Sequence, residues 1–289
     1  MAQEYRVALI TGGTSGVGLE VAKVLAAKGW TVHLLGRNEK TGEAAAAAVP
    51  NAHFHQGDVT DYTTLAAAFD AAFKSSGRLD FVFANAGIME RTNFYAKADT
   101  LPPPAPDFPI IDIGFKGFVH TAYLAQHYFR ANPSGGEGKE TDPVLLFHSS
   151  CTALYGSQFT PIYAGAKAGI VNFMRSIAFP FYHFDGIRTY AICPGGIKTN
   201  LMTPEEQAPF PESMWTPMAK VTRTIEMLVN GGTIEDSWGK KVEKESNYGL
   251  TVEISNDKHY FRDPVDACDE LMKTNMYNTS LEFVTKNSS

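Results

Sequence analysis

Tyr163 stands four residues before Lys167 and thirteen after Ser150, within the stretch SSCTALYGSQFTPIYAGAK that runs from Ser149 to Lys167. On a helix, positions i and i+4 share a face, so Tyr163 and Lys167 project together. A neighbouring ammonium favours the phenolate and draws a tyrosine pKa down from about 10, the direction that general acid/base work near neutrality needs. Ser150 closes an apolar run, at the sheet edge where open α/β folds bind ligands, and its hydroxyl could hold a carbonyl oxygen beside the phenol. Alternation along the strand turns Ser149 away from Ser150. The spacing alone is weak, since a Tyr-x-x-x-Lys pair is expected roughly 0.7 times by chance in such a chain. Its context carries the argument.

The first context is TGGTSGVG, Thr11 to Gly18, between a β-branched run and an Ala-rich one. A phosphate placed there meets unpaired backbone N–H groups and the positive end of a helix dipole. Gly12 permits the tight turn, Gly16 clears space for the cofactor backbone, and Gly18 allows close helix–strand contact. Thr14 and Ser15 add hydroxyl donors. At the end of the second apolar run the sequence reads LLGRN, with Gly36 and Arg37 where an NAD site usually carries an acid. A guanidinium suits a 2′-phosphate, so the expected cofactor is NADP(H).

These residues must be positioned by a regular scaffold. Short apolar runs at 5–11, 31–36, 52–58, 79–87, 142–150, 186–196 and 248–255 alternate with helical patterns at 16–29, 39–49, 63–77, 110–132 and 163–184. Runs covered on both faces read as continuously apolar, which predicts an α/β, doubly wound, Rossmann-like fold. The expected sheet is mainly seven-stranded and parallel, with helices on both faces. One domain over 1–289 is expected, because no repeat or boundary interrupts the pattern. Pro-rich 97–109, turn-rich 132–143 and charged 232–247 read as surface decoration, and the helix at 163–184 weakens near Pro180.

Composition narrows the function. The 289 residues are 44% hydrophobic and 19% charged, with a net charge of -6. There is no Lys/Arg stripe for nucleic acid and no apolar run long enough for a bilayer. Cys151, Cys193 and Cys268 fit neither a disulfide framework nor a zinc site, and the N-terminus lacks a secretory pattern, so a cytoplasmic location is expected. His53, His55 and His148 lack metal-ligand spacing and read as packed or surface residues; no metal is expected. Cys193 reads as a small core hydrophobe.

Taken together, TGGTSGVG, NAG (Asn85, Ala86, Gly87), Ser150, YAGAK and PGGIKT (Pro194 to Thr199) resemble the short-chain dehydrogenase/reductase family over residues 5–200. The resemblance implies hydride transfer between a nicotinamide and a carbonyl or carbinol carbon. It gives Tyr163 the proton, Lys167 the ribose hydroxyls and Ser150 the reacting oxygen. It also implies cofactor contacts from Gly12, Thr14, Ser15, Gly16, Val17, Gly18, Arg37, Asp58, Val59, Asn85, Ala86, Gly87, Ile197 and Thr199. Asp58 and Val59 would touch adenine, Asn85 would support the ribose region, and Ile197 and Thr199 would fix the carboxamide. Two long helices, 110–132 and 163–184, resemble those that pack across subunits, so a homodimer or homotetramer is expected.

One position departs from the family. Its D-x-N-x-x-G segment is DIGFKG here, with Gly114 where asparagine usually holds a relay water. A modified proton relay and a slower enzyme are therefore expected, with a water filling the void. The lid is expected near 200–216. Met89, Phe94, Tyr155, Phe159, Met202, Phe210, Met214 and Trp215 would rim the pocket and favour a bulky hydrophobic ketone or secondary alcohol. Two other readings stay open: an NAD-dependent alcohol dehydrogenase of the hydroxyprostaglandin or steroid type, and a cofactor-binding sensor, scaffold or cyclase without turnover.

Overall fold

The computed structural model describes residues 5–106, 108–133 and 142–287; most of the turn-rich segment 132–143 lies outside them. The strands are β1 (Val7–Thr11), β2 (Thr31–Gly36), β3 (Ala52–Gln56), β4 (Phe81–Ala84), β5 (Val144–His148), β6 (Arg188–Pro194), β7 (Ile234–Glu235), β8 (Lys241–Val242), β9 (Leu250–Ser255) and β10 (Lys258–Arg262). The helices are α1 (Gly16–Ala27), α2 (Glu39–Ala47), α3 (Tyr62–Ser76), α4 (Pro109–Ile111), α5 (Gly117–Arg130), α6 (Pro161–Asp185), α7 (Pro204–Gln207), α8 (Met218–Asn230), α9 (Glu270–Asn278) and α10 (Leu281–Asn287).

Eight strands form one sheet in the order β10-β9-β6-β5-β4-β1-β2-β3. Seven run parallel, and β10 adds an antiparallel edge by returning tightly from β9. Alternation along each strand sends Leu9, Val82 and Phe147 to a core shared with α3, α5 and α6. Ile10, Phe83 and Leu146 face the opposite core, beneath α1 and α8. Both faces are thus covered, which is why the strands read as continuous apolar runs.

The chain steps outward from β1 to β3, then returns to place β4 on the other side of β1. The crevice beyond the ends of β1 and β4 is therefore the topological switch point of the sheet. Segment 232–247 is more than a loop: β7 and β8 pair as a hairpin that leans on β10. Asp236 Oδ2 accepts from the Phe261 N–H at 2.9 Å, and the Ser237 N–H donates to the His259 carbonyl at 2.9 Å. The sixth helix continues through Pro180, because buried Ala178 and Phe181 hold it on the sheet; it ends at Gly186 with φ 65°. Five π-helical residues, Asp112–Lys116, separate α4 from α5 and contain Gly114.

Candidate active site

The phosphate-binding candidates come together at the switch point. Gly12 turns with φ +62°, and a Cβ there would stand 2.8 Å from the Ala86 Cα. A Cβ on Gly18 would stand 2.5 Å from the Gly12 carbonyl, so its part is close packing of α1 rather than cofactor contact. Ser15 occupies the N-cap of α1 without making a side-chain cap. The first N–H groups of that helix are left for an incoming anion, as the fit of a cofactor diphosphate requires.

Asn85 fastens the crevice. Its side-chain amide donates to the carbonyls of Thr11 and Gly12, both at 3.1 Å, and its Oδ1 lies 2.7 Å from His148 Nδ1. Because the Asn85 oxygen can only accept, the His148 proton sits on Nδ1. Burial, then the nearby Lys167 charge, drive the His148 pKa down to about 3, which keeps the ring neutral. His148 is thus a packed histidine with a supporting bond to the site.

Two cavities share Gly12, Ala86, Gly87 and Ile88. The larger, ≈ 470 Å³, is lined by Ser15, Gly16, Val17, Asn85, Tyr163, Lys167 and Thr199 among others. The smaller, ≈ 230 Å³, is lined by Thr14, Arg37, Asp58 and Val59 among others. Together they form a groove of dinucleotide character, with Arg37 at one end and Tyr163 at the other. Arg37 is 3.9 Å from the Asp58 carboxylate. Ile197 lines neither cavity and instead packs against the core beside α1 and α8.

At the far end, Tyr163 and Lys167 share one face of α6, as their spacing dictates. The Lys167 ammonium donates to the His148 carbonyl at 2.6 Å. It also lies 5.0 Å from the Phe118 ring centre and 5.5 Å from that of Tyr163. Burial lowers the Lys167 pKa to about 8. Burial likewise pushes Tyr163 up to about 12, with the Ser150 hydroxyl acting in the opposite direction. The direction is opposite to the lowered phenol expected from the sequence, because desolvation is the largest influence on this buried group.

Ser150 is 9% exposed and accepts from the Thr152 N–H at 3.2 Å. Ser149 reaches the cavity wall, but its hydroxyl is spent on the Lys167 carbonyl at 2.8 Å. Trp215 is buried, whereas Phe94, Tyr155, Phe159, Phe210 and Met214 stand exposed. Arg91 pairs with Glu206 and donates to the Leu201 carbonyl at 3.2 Å, tying the two banks of the groove. Glu90, Arg91 and Phe118 were not singled out by the sequence, because their roles depend on contacts between distant segments. Among the described residues no His/Cys/Asp/Glu group could hold a metal, and no helix is long and apolar enough to cross a membrane.

Comparison with known proteins agrees with this geometry. The sequence profile described as short chain dehydrogenase matches residues 6–209. The short-chain dehydrogenase/reductase prx7 of Penicillium rubens is 44% identical over 278 residues, covering 92% of this chain and 97% of that protein. The NADP-dependent dehydrogenase clz5 of Cochliobolus lunatus is 29% identical over 214 residues, covering 69% and 70%. The 3-ketoacyl-(acyl-carrier-protein) reductase of Brucella melitensis, solved with NADH, shares the fold with a TM-score of 0.70 at 22% identity, over 86% of this chain and 96% of that one. By its sequence and by the architecture of its groove, the chain belongs to the short-chain dehydrogenase/reductase family.

Proposed function

We propose that the protein is an NADP(H)-dependent carbonyl reductase or alcohol dehydrogenase that interconverts a bulky hydrophobic ketone and its secondary alcohol. The observation that supports this most is a single cavity whose lining brings Tyr163 and Lys167 together with Gly12 and Gly16. When bound, the cofactor supplies or accepts a hydride. In the reductive direction Tyr163 gives its hydroxyl proton to the ketone oxygen, which Ser150 orients. A phenol whose pKa burial raises to about 12 is protonated at neutral pH and so stands ready as the acid. The Lys167 charge and the Ser150 hydroxyl favour the phenolate left behind.

Several features support NADP(H). Arg37 directly follows β2, and Gly36 carries no acid there; a Cβ at Gly36 would crowd the Thr14 side chain, 2.8 Å from its Cγ2. The relative from Cochliobolus lunatus is NADP-dependent. One observation favours an NAD-dependent alternative: the nearby Asp58 carboxylate partly offsets the Arg37 charge. The proposal also includes one domain with a lid at 200–216 and a cytoplasmic setting, which the free thiols of Cys151, Cys193 and Cys268 suit. A homodimer or homotetramer through α5 and α6 is part of it, supported by the exposed Tyr123 and Phe184.

Tyr163→Phe removes the proton donor and leaves the ring. Turnover of aromatic ketones with NADPH, followed by cofactor absorbance, is expected to fall by at least about a hundredfold. Unchanged turnover would instead support a binding protein without redox chemistry.

A further inference from the structure

We infer that Glu90 is a positioning residue that holds the catalytic turn of α6 in place from across the groove; the catalytic label for that turn rests on the function proposed above. The helix begins without a local cap. Thr160, at the N-cap position, makes no side-chain cap, and its hydroxyl instead meets Ser157 Oγ at 2.8 Å. Pro161 has no N–H to offer. The Tyr163 N–H, in the first turn, is taken by Glu90 Oε2 at 2.8 Å, a bond spanning 73 residues of sequence.

The choice of partner has consequences. A carboxylate at a helix N-terminus gains from the dipole, and a hydrogen bond to a charged acceptor is stronger than a neutral one. Glu90 is only 9% exposed, and its other oxygen, Oε1, is buried without a hydrogen-bond partner. Burying a carboxylate oxygen unpaired is unfavourable, so this is not an arrangement that folding alone would select. Glu90 also lies five residues beyond Asn85, on the segment whose Ala86 and Gly87 line both cavities. It therefore joins the wall of the cofactor groove directly to the backbone of the residue that carries the reacting proton. Movement of that wall is transmitted to Tyr163, whose placement governs turnover more steeply than binding.

The test compares Glu90→Ala with Glu90→Gln in the full-length protein. Hydrogen–deuterium exchange of the ligand-free protein reads the Tyr163 amide directly. Glu90→Ala is expected to speed exchange in peptides spanning 160–166 by roughly tenfold or more, and Glu90→Gln, which keeps the acceptor oxygen, to restore most of the protection. With NADPH and benzil as probes, kcat is expected to fall by about ten- to a hundredfold in Glu90→Ala, while the NADPH dissociation constant, read by fluorescence, changes less than about threefold. Unchanged exchange in Glu90→Ala overturns the inference. So does equal damage by both substitutions, because then the acceptor is not what matters. If Glu90→Ala does not fold, Glu90→Gln alone decides, with near-parental exchange supporting the inference and fast exchange opposing it. Altered exchange in a protein that reduces no ketone would leave the positioning contact standing and remove the proposed function.

Discussion

Lys167 spends its ammonium on the His148 carbonyl at 2.6 Å, and the same ammonium stands 5.5 Å from the Tyr163 ring centre. The end of β5 thus fixes the charge that faces the phenol. Burial brings this lysine down to about pKa 8, so its proton is lost as pH rises through that value. Ketone reduction is expected to decline above about pH 8, while Tyr163, raised to about 12, stays protonated. A pH profile of kcat that stays flat to pH 10 would show that the lysine charge is not used.

Arg37 should decide between the two nicotinamide dinucleotides. Arg37→Ala is expected to raise KM for NADPH at least about tenfold while shifting that for NADH by less than about threefold, since only the former carries the extra phosphate. Initial rates with each cofactor measure this. An equal change for both would assign Arg37 to general surface charge.

Gly114 offers a test by gain. A Cβ there would meet only the Ala166 Cβ, at 3.8 Å, so Gly114→Ala should fold with stability within about 1 kcal/mol of the parent or better. Gly42→Ala is the contrasting case. Its Cβ would fall 2.1 Å from the Phe54 ring, and the crowding should cost about 1–3 kcal/mol. Urea melts of the two variants should diverge accordingly.

Acid should weaken the fold through its buried histidines. His33 is fully buried in β2, with Nδ1 2.8 Å from His55 Nε2 and Nε2 2.8 Å from Ser76 Oγ. Burial, then the neighbouring His55 and His53, lower its pKa to about 3. Below pH 6.5 the unfolded chain takes up protons that the folded one refuses until about pH 3, so stability falls as pH drops through that window. Thermal melts should show a steep loss between pH 6.5 and 5, reduced in His33→Gln. An equally steep loss in that variant would point to other groups, His148 among them.

Much of this was legible in the sequence, for identifiable reasons. The parallel strands announced themselves because both faces are covered, and the Tyr163–Lys167 pair because helical geometry is local. The glycine positions were legible because backbone conformation at Gly12 and packing at Gly18 admit little else. Three features were not. The antiparallel β10 follows a tight return at Asn256 (φ 51°), where no Gly or Pro marks the turn. The raised Tyr163 pKa depends on how deeply a pocket desolvates its lining, which spacing does not encode. Glu90 acts on a residue 73 positions away, so only the folded chain reveals it.

The hairpin of β7 and β8 has a consequence beyond decoration. The outer side of β10 would otherwise offer bare N–H groups to any passing extended chain, the geometry by which sheets add strands and aggregate. Asp236 and Ser237 occupy those donors at Phe261 and His259. A segment that reads as a charged loop thus works as a guard rail along one margin of the sheet, covering two β10 donors that a neighbouring chain could otherwise recruit.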